Sequence, residues 1–222
     1  MKYELRFNDD QIKKSLHASV KRHIRNTVQL NIKNLERKVK EKYAAKVRKT
    51  PEYMNIVSER STFRTELGVP NSPAVLESII EALLDNVEVR INRIANDESA
   101  YIIPITITLF DEKIMKRILN VPGATYYSEN MRGTVTEVPW LSWLLLSGNE
   151  PVVYGFRVMY NKERWSRTEN AIMVPATNEK PNNYSIPEQF SGTRNDNFLT
   201  RAAIDTVEEL PLIIQKEIIG KL

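Results

Sequence analysis

The sequence predicts an α+β fold: a long N-terminal helix plus a small, mostly antiparallel sheet packed by helices, with further helices at the C-terminus. Three observations predict it. Apolar residues recur every three or four positions from Ile12 to Tyr43, the spacing of a single helix face. From Val87 the period changes to two, in VEVRI and again in YIIPITITLF, the alternation of half-buried strands. Beyond Thr200 helical spacing returns, broken at Pro211. The chain accordingly divides into a basic helical arm with a short leading strand, residues 1–50, and an α+β core domain with C-terminal helices, residues 51–222.

Taken in order, Tyr3–Phe7 (YELRF) reads as a strand, after which Asn8 or Asp9 can cap the long helix. Its apolar positions are Ile12, Leu16, Val20, Ile24, Val28, Ile32, Leu35, Val39 and Tyr43. They form one slowly drifting stripe on a helix of roughly 35 residues, ~50 Å long at the standard rise. Pro51 is expected to stop it. A domain of this size has a radius of gyration of ~17 Å, so such a helix cannot bury its whole stripe, and part of it is expected to meet a neighbouring subunit. The segment PEYMNIVSE continues helically into the Gly- and Pro-punctuated linker at residues 67–73. Ser72 is then expected to cap AVLESIIEALLDN, with Pro73 at the first helical position and Val75, Leu76, Ile79, Ile80, Leu83 and Leu84 as its core face. Residues 152–160 and 170–174 supply two more candidate strands, for a sheet of four in which Pro104 belongs near an edge. Pro139–Leu146 reads as a short apolar helix ended at Ser147-Gly148, residues 178–185 as a loop, and residues 200–210 and 212–222 as helices parted by Pro211.

Composition narrows the class. The 222 residues are 41% hydrophobic and 27% charged, close to the globular average. No cysteine is present, which excludes disulfides, thiolate metal ligands and a cysteine nucleophile, and suits a reducing compartment. The opening residues lack an apolar signal core, and no run reaches the ~20 apolar residues of a membrane span, so a soluble chain is expected. The net charge of +4 is unevenly spread: residues 1–50 hold 15 Lys/Arg against 5 Asp/Glu, so the remainder nets −6. Lys13, Lys14, Lys21, Arg22, Arg25, Lys33, Arg37, Lys38, Lys40, Lys42 and Lys46 occupy the faces outside the stripe. Such an element is a solvated basic face, or one presented to an acidic protein surface or to DNA. Neither the helix-turn-helix nor the zipper context of DNA-reading helices is visible.

Residues able to do chemistry are sparse. The only histidines, His17 and His23, lie six positions apart on the helix, about 600° of rotation, and so face different ways. No glycine-framed serine, Walker A sequence, dinucleotide fingerprint or calcium loop occurs, and seven glycines are little material for a phosphate cradle. Asp111-Glu112, the one tight acidic pair, fits a helix N-terminus. Trp140 and Trp143, three apart and followed by three leucines, fit a packing helix. No catalytic residue, cofactor or metal site is assigned.

Three segments stand in a more specific pattern: VPWLSWLLLSG (138–148), RWSRTENAIM (164–173) and IPEQFSGTRNDNFLTRA (186–202), preceded by FRTELGVP (63–70). Their order resembles a family of tailed-phage virion proteins related to neck or tail-completion (head-to-tail joining) proteins, whose pattern runs PWLxWLL, SRTGxAIM, VPPEFAGT and NNWITRA. The resemblance covers about residues 56–205 and departs from the pattern at Glu169, Ser191 and Phe198. It implies a non-catalytic α+β subunit that forms a homo-oligomeric ring, hexamer or dodecamer, in the virion neck around the channel through which the genome passes. The implied partners are adjacent portal or adaptor, stopper and tail-tube or terminator proteins, with genomic DNA in the channel, after assembly in the host cytoplasm. The surfaces expected to carry the contacts are the apolar stripe at Ile24, Val28, Ile32 and Leu35, the helix bearing Trp140 and Trp143, and Arg167, Phe190 and Arg201 of the patterned segments. A nucleic-acid-binding protein acting through Lys13–Lys46 is the alternative reading.

Overall fold

The computed structural model describes residues 9–92, 95–97, 100–129, 135–160, 171–175 and 183–221. The α+β class is as expected: a 40-residue helix, α1 (Asp9–Arg48), followed by short helices and antiparallel strand pairs, with helices again at the C-terminus. The leading strand at Tyr3–Phe7 and most of the loop at 178–185 lie outside the described residues. No helix among those described is long and apolar enough to cross a membrane. Two compact units form, and the division between them falls inside α1, after Lys40. One unit comprises residues 1–40, 88–108 and 209–222, the other residues 41–87 and 109–208.

The first unit holds most of α1, two β-hairpins and the C-terminus. Strand β1 (Glu88–Ile91) pairs antiparallel with β4 (Ile105–Thr108), placing Val89 opposite Ile107 and Ile91 opposite Ile105. Strand β2 (Ala95–Asp97) pairs with β3 (Ala100–Ile102). Pro104 explains why YIIPITITLF is two strands rather than one. It has no N–H to give a ladder; instead its carbonyl accepts the Asn92 N–H at 2.9 Å, between the two ladders. The C-terminal helix α8 (Leu210–Glu217) ends in a 3₁₀ turn (Ile219–Lys221). Buried Glu217 accepts hydrogen bonds from Asn34 of α1 and from Lys221, and Lys221 also donates to Asn31. These bonds fasten the chain end to the long helix.

The second unit gathers the last turns of α1 with helices α2 (Pro51–Val57), α3 (Thr62–Leu67), α4 (Ser72–Leu84), α5 (Glu112–Leu119), α6 (Trp140–Leu146) and α7 (Phe198–Val207). Helix α1 stops at Arg48, and Pro51 opens the next helix, where its missing N–H costs nothing. The Thr50, Ser61 and Asp111 side chains accept the backbone N–H three residues on, capping α2, α3 and α5. At α4 the cap differs from expectation: Asn71 occupies it at a φ of 45°, and the Ser72 hydroxyl is buried without a hydrogen-bond partner. At α7 the cap is Asn197, one or two residues later than the Asn195 or Asp196 expected from the sequence. Its Oδ1 accepts from Leu199 and Thr200 N–H while Thr200 Oγ1 accepts from the Asn197 N–H, a reciprocal capping box. Pro211 lies in the first turn of α8 rather than parting the helices.

The strands of this unit also pair in twos, so the expected four-stranded sheet is replaced by separate ladders. Residues 152–160 break at Gly155, whose φ of 71° suits glycine. Before the break β7 (Pro151–Val153) pairs with β10 (Tyr184–Ser185); after it β8 (Phe156–Tyr160) pairs with β9 (Ala171–Pro175). Strands β5 (Tyr126–Glu129) and β6 (Val135–Val138) form the remaining hairpin, leading into α6. The helices carry the core: Tyr43, Ile56, Leu67, Leu76, Ile79, Ile80, Leu83, Ile118, Trp140, Leu141 and Phe198 are all fully buried.

Candidate functional site

Helix α1 changes character along its length. Its apolar stripe is completely buried at Val28, Leu35, Val39 and Tyr43 and half-buried at Ile24 and Ile32. Toward the N-terminus the same stripe emerges: Val20 is 36% exposed, Ile12 49% and Leu16 62%. Lys13 and Arg25 lie beside it and Lys14 and Arg22 on the far side of the helix; all four are exposed, as are His17 and His23 on their separate faces. An amphipathic helix face normally lies against something apolar. Here, among the described residues, about three turns of it do not. The expected contact surface therefore shifts along the helix: Val28 and Leu35 are core residues, and the open stretch is Ile12, Leu16 and Val20.

The patterned segments converge in the second unit, and they do so by packing. Trp140 is fully buried and its indole Nε1–H donates to the Gly123 carbonyl at 2.6 Å, which satisfies the one polar group the ring must bury. It is thus placed in the core rather than on an open face; Trp143, on the same helix, is half-buried. Phe190 stacks on Phe63 with ring centroids 4.3 Å apart and is 7% exposed, so it too belongs to the interior. The two longest segments meet where the Gly148 N–H donates to the Gly192 carbonyl at 2.8 Å. A Cβ at Gly192 would lie 2.7 Å from both the Leu144 carbonyl oxygen and the Asn197 Cβ. Only a glycine allows that approach. Arg167 lies outside the described residues.

Beside this joint is an open cleft of about 450 Å³ bordered by Glu52, Asn149, Glu188, Thr193, Asp196 and Arg201. Arg201, of the third segment, bridges two carboxylates: its guanidinium pairs with Glu52 and reaches Asp196 Oδ1 at 2.7 Å. Glu52 is almost completely buried, and its second oxygen has no hydrogen-bond partner. Burial pushes its carboxyl above the usual range; the nearby guanidinium and a backbone hydrogen bond pull it back only in part. This acid gives no local sign in the sequence, since it sits one residue after a helix-opening proline and its partner is 149 positions away. Arg201 is the residue of the pair that the patterned segment brings to notice.

Two further polar clusters tie segments together. Glu66 accepts hydrogen bonds from the hydroxyls of Tyr160 at 2.6 Å and Tyr184 at 3.2 Å. Burial, with the adjacent carboxylate, pushes the Tyr160 hydroxyl up to about 12 and raises that of Tyr184 further. Glu77 receives two bonds from Arg48 and one from Tyr53, and the guanidinium holds its carboxyl below the usual range. Among the described residues no group of three or more histidine or acidic side chains is placed to hold a metal ion. The arrangement joins distant pieces of chain and leaves one helix end apolar, basic and open. No protein-family model, curated protein or solved structure matches this chain.

Proposed function

We propose that this protein is a non-catalytic structural subunit of a tailed phage that assembles with copies of itself into a ring in the neck, around the DNA channel. The observation that carries assembly is the exposed apolar stretch Ile12–Leu16–Val20 on a helix whose stripe is buried farther along, at Val28, Leu35, Val39 and Tyr43. A stripe with uninterrupted spacing calls for a second surface to cover it. The place in the virion rests on the order of the segments at 63–70, 138–148, 164–173 and 186–202. In support, distinctive residues of the described parts of these segments serve packing and capping: Trp140 is buried, Phe190 stacks on Phe63, Gly192 lies against Leu144 and Asn197 caps α7. A closed ring requires two different faces on each subunit, and the open helix end supplies one.

Native mass spectrometry of the full chain tests this reading. A closed hexamer or dodecamer is the expected result; a strict monomer at every accessible concentration overturns it. The exposed Lys13, Lys14, Arg22 and Arg25 favour nucleic-acid binding as a second reading. It predicts retention on DNA that falls steeply with salt, whereas rings that keep their form in salt and do not retain DNA count against it.

A further inference from the structure

We propose that the partner of the open end of α1 is the C-terminal turn of α7 on a second copy of this chain. The inference rests on the ring reading and names the two faces that would meet. On α7, Ile204 and Val207 are 60% and 53% exposed; three positions apart, they adjoin on one face of the helix. Asp205 and Glu208, also three apart, are exposed beside them, and neither forms an ion pair among the described residues.

These two carboxylates occupy the last turn and the C-cap of α7, which has no basic residue in its last turn. Like charges three apart on a helix repel. A cationic surface laid against that turn relieves the repulsion. The open end of α1 offers the complement: aliphatic Ile12, Leu16 and Val20, with exposed Lys13 and Arg25 on the ridge that runs beside them at i, i+4 spacing.

Charge also argues against the simplest alternative, pairing of two α1 ends. Residues 9–27 hold five Lys/Arg against Asp9 and Asp10, so helix against helix would set like charges together in a desolvated contact. Pairing α1 of one copy with α7 of the next joins unlike charges and covers apolar surface on both sides. It is heterologous, and so compatible with closure into a ring.

Charge reversal in the full-length chain tests the pairing, read by native mass spectrometry and sedimentation velocity. Asp205→Lys with Glu208→Lys is expected to weaken assembly by about tenfold or more in dissociation constant, as is Lys13→Glu with Arg25→Glu. Mixing the two double variants, or combining all four changes in one chain, is expected to restore it. All four positions are exposed, and circular dichroism confirms that each variant is folded. Reversal variants that assemble as the wild type does, or no recovery on combination, overturn this pairing and leave the ring reading standing. A wild-type chain that stays monomeric overturns both.

Discussion

Glu52 shows how much a single residue depends on a distant one. Its carboxylate is buried, paired with Arg201 through one oxygen while the other has no hydrogen-bond partner, a situation in which removing the partner costs more than the pair contributes. Arg201→Ala is expected to lower stability by about 1–3 kcal/mol at neutral pH. Because burial raises the Glu52 carboxyl, the folded state binds the proton more tightly than the unfolded chain. Its contribution is therefore most favourable below the ordinary glutamate range and is lost as pH rises through the raised value. Two outcomes follow for denaturant titrations at several pH values: the Arg201→Ala deficit shrinks in acid, and Glu52→Gln is neutral or stabilising at pH 7 with a flatter pH profile. A deficit that is the same at pH 4 and pH 7 would contradict this account. The tyrosines around Glu66 give an alkaline counterpart. The Tyr160 hydroxyl, raised from 10.0 to about 12, stabilises the fold below pH 10, and that contribution is lost as pH rises toward 12. Tyrosinate absorbance should show a class ionising late, and Tyr160→Phe should remove part of it.

At the scale of elements, the decisive contact is between α6 and the turn before α7. Helix α6 was legible because its apolar residues crowd one short run, and the cap of α7 was legible in kind but not in place: Asn195 or Asp196 is the cap the sequence suggests, and Asn197 is the one used. Which of them caps was decided by Gly192, whose approach to Leu144 fixes where the chain turns into the helix. Gly192→Ala is expected to cost about 1–3 kcal/mol through overpacking. Asn197→Ala is expected to cost about 1–2 kcal/mol through the lost cap. Thermal unfolding measures both, and a neutral Gly192→Ala would show that the joint can open without loss. The strands were legible one at a time from their alternation. Their partners were not, because Pro104 and Gly155 each cut a continuous apolar run into two pieces that pair differently, and alternation alone does not say where a ladder ends.

For the whole molecule, the question is what the first turns of α1 contribute. Since the stripe is buried only from Val28 onward, deletion of residues 1–23 is expected to change folding stability by less than about 1 kcal/mol, a shift in Tm of about 2–4 °C at most for a chain of this size. The same deletion should abolish assembly. Scanning calorimetry and sedimentation on one sample separate the two effects, and a loss of fold on deletion would make the arm a core element. The sequence by itself determined the helix, its basic faces, the stripe too long to be covered, the absence of cysteine chemistry and the positions of most helix starts. These are properties of local spacing and composition, which are written in consecutive residues. Only the tertiary structure decided which part of the stripe is open, that Trp140 and Phe190 are interior, and that Arg201 answers a buried Glu52. Burial and pairing are set by what residues far along the chain bring to the same place, and no local pattern records that.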